Sequence, residues 1–326
     1  MYTNHTDIPL VLAVWLAAND GYDLKPEPDI ISATSLMKPN KSLVLGKRLA
    51  AQDQEGEVDI SDLIPSRVGT AVHTAAEQSW LYSREAGLTA LGTPQWVIDK
   101  IRINPETPGE DPQFDVYMEQ RSMKQVGKWR ISGKFDFVHN ARVKDIKTTK
   151  TYNWIKGSNN ESYRIQLSIY RWLNQDIITD NYGDIMMVFT DWTPLKAQAD
   201  KSYPQTQIKV KTVELMSIAE TERWINGRLT EIEAVADQKQ DDMPLCTPDE
   251  LWMDAPSYAY YKKPDAARAT RVFDNAHEAN ARKAADGFPG SIVVFRQSNP
   301  KYCRYCDARS ICMQAESMIQ QGILKL

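Results

Sequence analysis

From Pro65 onward, Val68, Val72, Ala75, Ala76 and Trp80 recur at helical spacing, so a helix with one buried face is expected to run to about Ala86. The period then shortens. Residues 114–123, 128–139 and 142–148 alternate and read as three short strands, with Gly127 and the pair His139-Asn140 supplying the turns. Helical spacing returns over 163–178 through Ile165, Leu167, Ile169, Trp172 and Leu173. The apolar run 184–191 reads as a buried strand, and 207–215 as another. The order α-β-β-β-α-β describes an α/β fold, a mixed sheet between helices.

The flanks differ from this core. An apolar run over 9–18 reads as a buried helix: no Lys or Arg precedes it as in a signal peptide, and no stretch of 18 apolar residues exists to span a membrane. A Pro-rich turn follows at 25–28, a second helix at 35–51, and an acidic, glycine-containing loop at 52–62. After Ser217 a long helix is expected over 219–239 with Trp224, Ile225, Leu229, Ile232 and Val235 inward. A loop with Pro244, Pro248 and Pro256, a helix at 275–285, a strand at 291–296, a cysteine cluster and a last helix complete the chain. The expected organisation is an N-terminal helical segment (1–62), a core (63–216) and a C-terminal helical segment with the cysteines (217–326).

Composition narrows the class. With 326 residues, 42% hydrophobic and 25% charged, the chain is neither disordered, collagenous nor a coiled coil. Four cysteines are too few for a disulfide scaffold, so an intracellular, cytoplasmic protein with no membrane association is expected. The net charge of −4 conceals an asymmetry: residues 120–175 hold 12 Lys or Arg against Asp136, Asp145 and Glu161. Such a block is either a localised polyanion site or a solvated strand face.

The candidate chemistry lies inside that block, in Gly133-Lys134-Phe135-Asp136 and Asp145-Ile146-Lys147. If both segments belong to one hairpin, Asp136 and Asp145 can meet at one edge of the sheet, and period-two geometry puts Asp145 and Lys147 on one face. Two carboxylates can hold a hard divalent cation, and a lysine beside them can orient water or stabilise a phosphorus-centred transition state. The competing reading is a pair of hairpin carboxylates bridged to neighbouring lysines. Context favours the site. Gly69, His73 and Glu77 share one face of the preceding helix, and Gly69 permits close approach of another backbone. Gln166 and Tyr170 stand one turn apart on the following helix.

Over about 66–189 these motifs, G-x3-H-x3-E, G-K-x-D, D-x-K followed by T-T-K, and Q-x3-Y, resemble the RecB-like branch of the PD-(D/E)XK nuclease superfamily. The stretch Ile31-Ser32-Ala33-Thr34-Ser35-Leu36 and the layout as a whole are most similar to phage-encoded exonucleases of this branch. The resemblance implies the superfamily's α/β core and a Mg²⁺- or Mn²⁺-dependent deoxyribonuclease. It implies His73, Asp136, Asp145 and the Ile146 carbonyl as metal ligands, and Lys147 as the catalytic lysine. Gln166 and Tyr170 would contact DNA or support the site, and Glu119 resembles an acidic residue often found on the preceding strand. DNA is the implied partner, with a helicase or a single-strand annealing or binding protein as a separate chain, in host cytoplasm if phage-encoded.

Cys303-x2-Cys306-x5-Cys312 has metal-site spacing, which suits zinc or an iron–sulfur cluster. Its likeness to the tails of RecB-like nucleases of the AddB and CRISPR-associated kinds implies [4Fe-4S]. Those proteins place a fourth cysteine before the nuclease core, whereas here Cys246 is the sole other, usable only if the loop near Pro244 folds back. No G-x4-G-K-[ST] loop, G-x-S-x-G elbow or H-E-x-x-H pair occurs. Trp129, Tyr152 and Trp154 lie near the basic block, where they could stack on unpaired bases, while Trp80, Trp172 and Trp224 read as core. Three readings result: an exonuclease, a structure-specific endonuclease, or a catalytically silent DNA-binding protein on the same fold.

Overall fold

The structure, a computed structural model, describes residues 2–18, 27–51, 58–157 and 159–325. The expected turn at 25–28 and loop at 52–62 lie partly outside them. The chain divides into two compact units, Met1–Met37 with Glu57–Thr230, and Lys38–Gly56 with Glu231–Leu326.

In chain order the first unit contains α1 (Leu10–Ala17), β1 (Ile30–Ser32), α2 (Ile64–Tyr82), β2 (Arg102–Ile103), β3 (Asp115–Met118), β4 (Arg121–Val126), β5 (Trp129–Lys134), β6 (Phe137–His139) and β7 (Arg142–Thr149). It continues through α3 (Thr151–Lys156), α4 (Asn160–Leu173), β8 (Tyr182–Phe189) and β9 (Ile208–Glu214). Six strands form one mixed sheet in the order β9-β8-β7-β6-β3-β2, and β1-β5-β4 form a second. The central pair β7 and β8 is parallel, with Asp145 opposite Ile185.

Side-chain alternation on β7 assigns the two helix layers. Ile146 faces α2, whose Val72, Ala76 and Trp80 pack with Val116, Met118, Phe137 and Ile146. Val143 points the other way, toward α4: a Cβ on Gly183 would meet both Leu167 and Val143. Burying each such aliphatic side chain is worth about 1.5–3 kcal/mol, so the amphipathic faces fix both layers.

Several expectations change. Residues 114–123 and 128–139 are not two unbroken strands: each breaks, into β3/β4 and β5/β6. Glu119 adopts φ +51°, its N–H bonds to the Asp136 carbonyl, and the Phe135 N–H bonds to the Gln120 carbonyl. This paired break bends the ribbon from one sheet into the other, as a bulge does. The helix expected over 163–178 is Asn160–Leu173, and that expected to Ala86 ends at Tyr82 before a short helix Arg84–Ala90. The helix expected over 35–51 is interrupted before Pro39, giving Ala33–Leu36 and Asn40–Ala51. Nor is α1 a buried helix: Leu16 is its one buried residue, while Leu10 and Val11 are about four-fifths exposed. Among the described residues, α1 meets little beyond the turn Ile60–Leu63, and Arg67 Nε donates to the Leu16 carbonyl.

The second unit contains more strand than its expected helical character. Arg271–Phe273, Ser257–Tyr261 and Ile292–Arg296 form an antiparallel sheet in that order, and the helix Ala276–Asp286 seals Tyr260 and Phe273 through Ala279. A separate small core gathers Leu251, Tyr302, Cys303, Ala315 and Leu324.

Candidate active site

The site forms where β6 ends. β6 pairs with β7 only from Arg142 to Lys144, so the backbone of Ile146 has no strand neighbour on that side. Buried peptide groups must find partners. The Ile146 N–H donates to Asp136 Oδ2 at 2.7 Å, and the Ile146 carbonyl accepts from His73 Nε2 at 2.9 Å. One interrupted ladder therefore draws in a carboxylate from the β5–β6 break and an imidazole from α2. Asp136 and Asp145 thus meet in mid-sheet rather than at the edge expected from the hairpin, because β7 lies between β8 and β6.

His73 can reach this carbonyl because Gly69, one turn earlier, lets α2 sit close: a Cβ there would lie 3.2 Å from Thr148 Oγ1. Since a carbonyl only accepts, Nε2 carries the proton, and Nδ1 faces Asp136 Oδ2 at 3.4 Å and Glu119 Oε1 at 3.9 Å. His73, Glu119 and Asp136 each offer one ligand atom within 4.8 Å of the others, a spacing that suits a single cation. Hydrogen bonds donated to Asp136 and Glu119 raise the His73 pKa to about 10, against the opposing pull of burial. Glu119 is itself held down, despite burial, by His73 and by Lys134 at 2.8 Å.

Asp145 is buried at 1% exposure. Its Oδ1 accepts from Gln166 Nε2 at 3.1 Å. Lys147 Nζ lies 2.8 Å from Oδ2, so the second carboxylate oxygen is ion-paired. Burial and the nearby Asp136 charge push the Asp145 carboxyl up to about 6, against the attraction of Lys147. The Lys147 ammonium is pulled down by burial but held up overall by Asp145 and Asp136.

The expected residues are therefore gathered with differences in detail. Asp145 stands beside the tight group of His73, Glu119 and Asp136, and the Ile146 carbonyl is occupied by His73. Gln166 and Tyr170 are buried and bonded to each other at 2.8 Å, which places them behind Asp145 rather than on a DNA-facing surface. Tyr170 packs there because Gly133 leaves room: a Cβ at 133 would lie 3.0 Å from the ring and 2.6 Å from Leu173. Glu77 is only half-buried, and its side chain makes no hydrogen bond or ion pair with any described residue. Lys134 is the participant the sequence reading did not single out, although it stands beside Gly133 in the quoted motif.

The basic block is partly neutralised. Arg142 and Lys144 pair with Asp180 and Asp184, and Arg130 pairs with Glu27 and Asp29. Trp172 is core at 1% exposure.

The cysteines form a second constellation, in the other unit. Cys246, Cys303, Cys306 and Cys312 line one enclosed cavity with Ser42 and Tyr302. Cys246 comes back to the cluster because Gln314 grips it: its amide accepts from the Cys246 N–H and donates to the Cys246 carbonyl, both at 2.9 Å. Ser42 Oγ lies 3.2 Å from Cys306 Sγ and 2.8 Å from the Tyr302 hydroxyl. Burial, with Glu250 and the other cysteines nearby, pushes the Cys246 thiol up to about 12, and burial pushes Cys303 to about 11. Among the described residues no three of these sulfurs lie within 4.8 Å of one another. Sulfurs sharing one tetrahedral zinc at about 2.3 Å would stand roughly 3.8 Å apart.

A model of the PD-(D/E)XK nuclease superfamily matches residues 98–313, from just before β2 through the last cysteine. No curated protein matches the chain. Among solved structures, SSO0001 is similar at 15% identity and a TM-score of 0.39, over 70% of this chain and 87% of that one. A phage-related exonuclease from Haemophilus somnus 129PT is similar at 17% identity and a TM-score of 0.26, over 40% of this chain and 63% of that one. The family match spans well over half the chain and contains the Asp136, Asp145 and Lys147 constellation: the chain belongs to the PD-(D/E)XK nuclease superfamily.

Proposed function

We propose that the protein is a Mg²⁺- or Mn²⁺-dependent deoxyribonuclease that degrades DNA from its ends. The observation that carries this reading is the convergence, at the unpaired backbone of Ile146, of His73, Glu119 and Asp136, with Asp145 and Lys147 alongside. The donor set fits a hard divalent cation, and the buried Asp145 carboxylate beside it, whose Oδ2 has no hydrogen-bond partner among the described residues besides its ion pair with Lys147, offers a further oxygen. His73, Glu119, Asp136 and Asp145 would hold the ion, which supplies an acidified water and charge neutralisation at the scissile phosphate. The protein's own part is positional. Gln166 fixes the Asp145 carboxylate from behind, and Tyr170 fixes Gln166. Lys147 offers an ammonium that orients the attacking water and stabilises the charge developing on the phosphate oxygens. Action from ends follows the likeness of the motif order to phage-encoded exonucleases.

In the second unit, Cys246 joins the C-x2-C-x5-C cysteines at one cavity, which gives four thiol ligands for a single metal centre. We propose that the four cysteines hold an iron–sulfur cluster with a structural role.

The test is digestion of end-labelled linear DNA and covalently closed circular DNA in Mg²⁺. Loss of the linear substrate alone supports the exonuclease, and cutting of the circle shifts the reading to an endonuclease. Absence of cutting in both Mg²⁺ and Mn²⁺ contradicts the enzyme reading.

A further inference from the structure

The catalytic strand β7 runs directly into α3, and the two aromatic residues of that helix part company. Trp154 turns inward and meets buried Phe189 edge-on, with ring centroids 6.2 Å apart, and Lys211 Nζ lies over its ring at 5.1 Å from the centroid. Tyr152 points out at 54% exposure, and Ile155, three residues on and on the same face, is 52% exposed. Lys150 and Lys156 flank the pair, both exposed. They stand out in a basic block whose Arg130, Arg142 and Lys144 are spent on carboxylates.

The platform is anchored by hydrogen bonds to both neighbouring strand ends. The Thr151 N–H donates to Asp191 Oδ1 at 2.7 Å, tying the start of α3 to the chain just after β8. Asn153 Nδ2 donates to Thr149 Oγ1 at 2.7 Å. Thr149 shares a face of β7 with Lys147 and Asp145, so this bond sets α3 at the end of the face that carries the chemistry. Thr149 is two residues beyond Lys147, roughly 7 Å of strand. Gly157, at φ +65°, ends the helix after fewer than two turns.

An exposed aromatic ring beside an exposed aliphatic side chain suits the face of a nucleobase, and flanking ammonium groups suit the phosphates on either side. Paired bases are stacked on their neighbours and offer no free face. We propose that Tyr152 and Ile155 form a stacking platform for unpaired bases, with Lys150 and Lys156 on the adjoining phosphates, so that the site receives a single strand or a frayed end. The assignment rests on the nuclease reading above and gives that site its strand class.

The test measures binding of a fluorescent single-stranded oligothymidylate to the full-length protein in EDTA, across a salt series. Tyr152→Ala is expected to weaken binding roughly tenfold at every salt concentration without changing the salt slope, because stacking releases no counterions. Tyr152→Phe, which keeps the ring, is expected to stay within about twofold of wild type. Lys150→Ala with Lys156→Ala is expected to flatten the slope by about 1.4, the value for two single-strand phosphate contacts. Binding by Tyr152→Ala within twofold of wild type overturns the platform, as does an equal loss on closed-circular duplex. Wild-type digestion of linear DNA in Mg²⁺ tests the nuclease reading separately: digestion with unaltered Tyr152→Ala binding refutes the platform alone, and a wild type that neither binds nor cuts DNA refutes both.

Discussion

Replacing Lys147 by Met probes the pair at the centre of the site. The substitution keeps most of the side-chain volume and removes the ammonium that lies 2.8 Å from Asp145 Oδ2. Asp145 is 1% exposed and stands near Asp136, and its carboxyl is already raised to about 6. A folded-state value above the unfolded one means the group favours folding when neutral and disfavours it when charged. At pH 5 the carboxyl is mostly neutral and hardly needs Lys147, so the substitution costs little. At pH 8 the wild-type carboxylate is charged and the variant must protonate it. That escape spans about two pH units at about 1.4 kcal/mol each, which limits the cost to about 3 kcal/mol, the lower end for a broken buried pair. For a unit of this size the loss corresponds to a melting temperature lower by roughly 6–12 °C. Thermal unfolding in EDTA at pH 5 and pH 8 provides the assay. An equal drop at both pH values, or no drop at pH 8, refutes the electrostatic reasoning.

Other consequences can be checked on the same protein. Because His73 is raised to about 10, it is protonated at pH 7.5 and must lose its proton to bind a cation, so Mg²⁺ uptake releases about one proton and tightens as pH rises. Calorimetry in two buffers of different ionisation enthalpy measures this release, and His73→Ala abolishes it. Gly133→Ala forces Tyr170 and Leu173 apart and costs about 1–3 kcal/mol in denaturant unfolding, with reduced activity through Gln166. Gln314→Ala frees Cys246 from its two hydrogen bonds and lowers the iron content of anaerobically purified protein, whereas substituting the exposed Gln205 leaves iron unchanged.

What the sequence disclosed follows from periodicity. Alternation within Asp145-Ile146-Lys147 places both charged side chains on one face, and i, i+4 spacing aligns Gly69 with His73 and Gln166 with Tyr170; the structure shows each of these relations. What it concealed depends on breaks in periodicity. The left-handed Glu119 carries no glycine to announce it, so alternation alone predicts two straight strands and places Asp136 within a regular hairpin. Short elements were lost for a related reason: α3 has six residues, too few to show a helical period. The uniformly apolar α1 looked buried because composition, unlike packing, does not reveal whether neighbours cover it. The return of Cys246 was equally hidden, since the residue that grips it, Gln314, lies 68 positions away.

The most direct test of the account is hydrolysis of end-labelled linear DNA by the wild type, with Mg²⁺ and with EDTA, beside Asp136→Asn and Lys147→Ala. The account predicts cutting by the wild type in Mg²⁺ alone, with each variant slower by roughly a hundredfold or more. Wild-type cutting that persists in EDTA, or undiminished cutting by either variant, contradicts it.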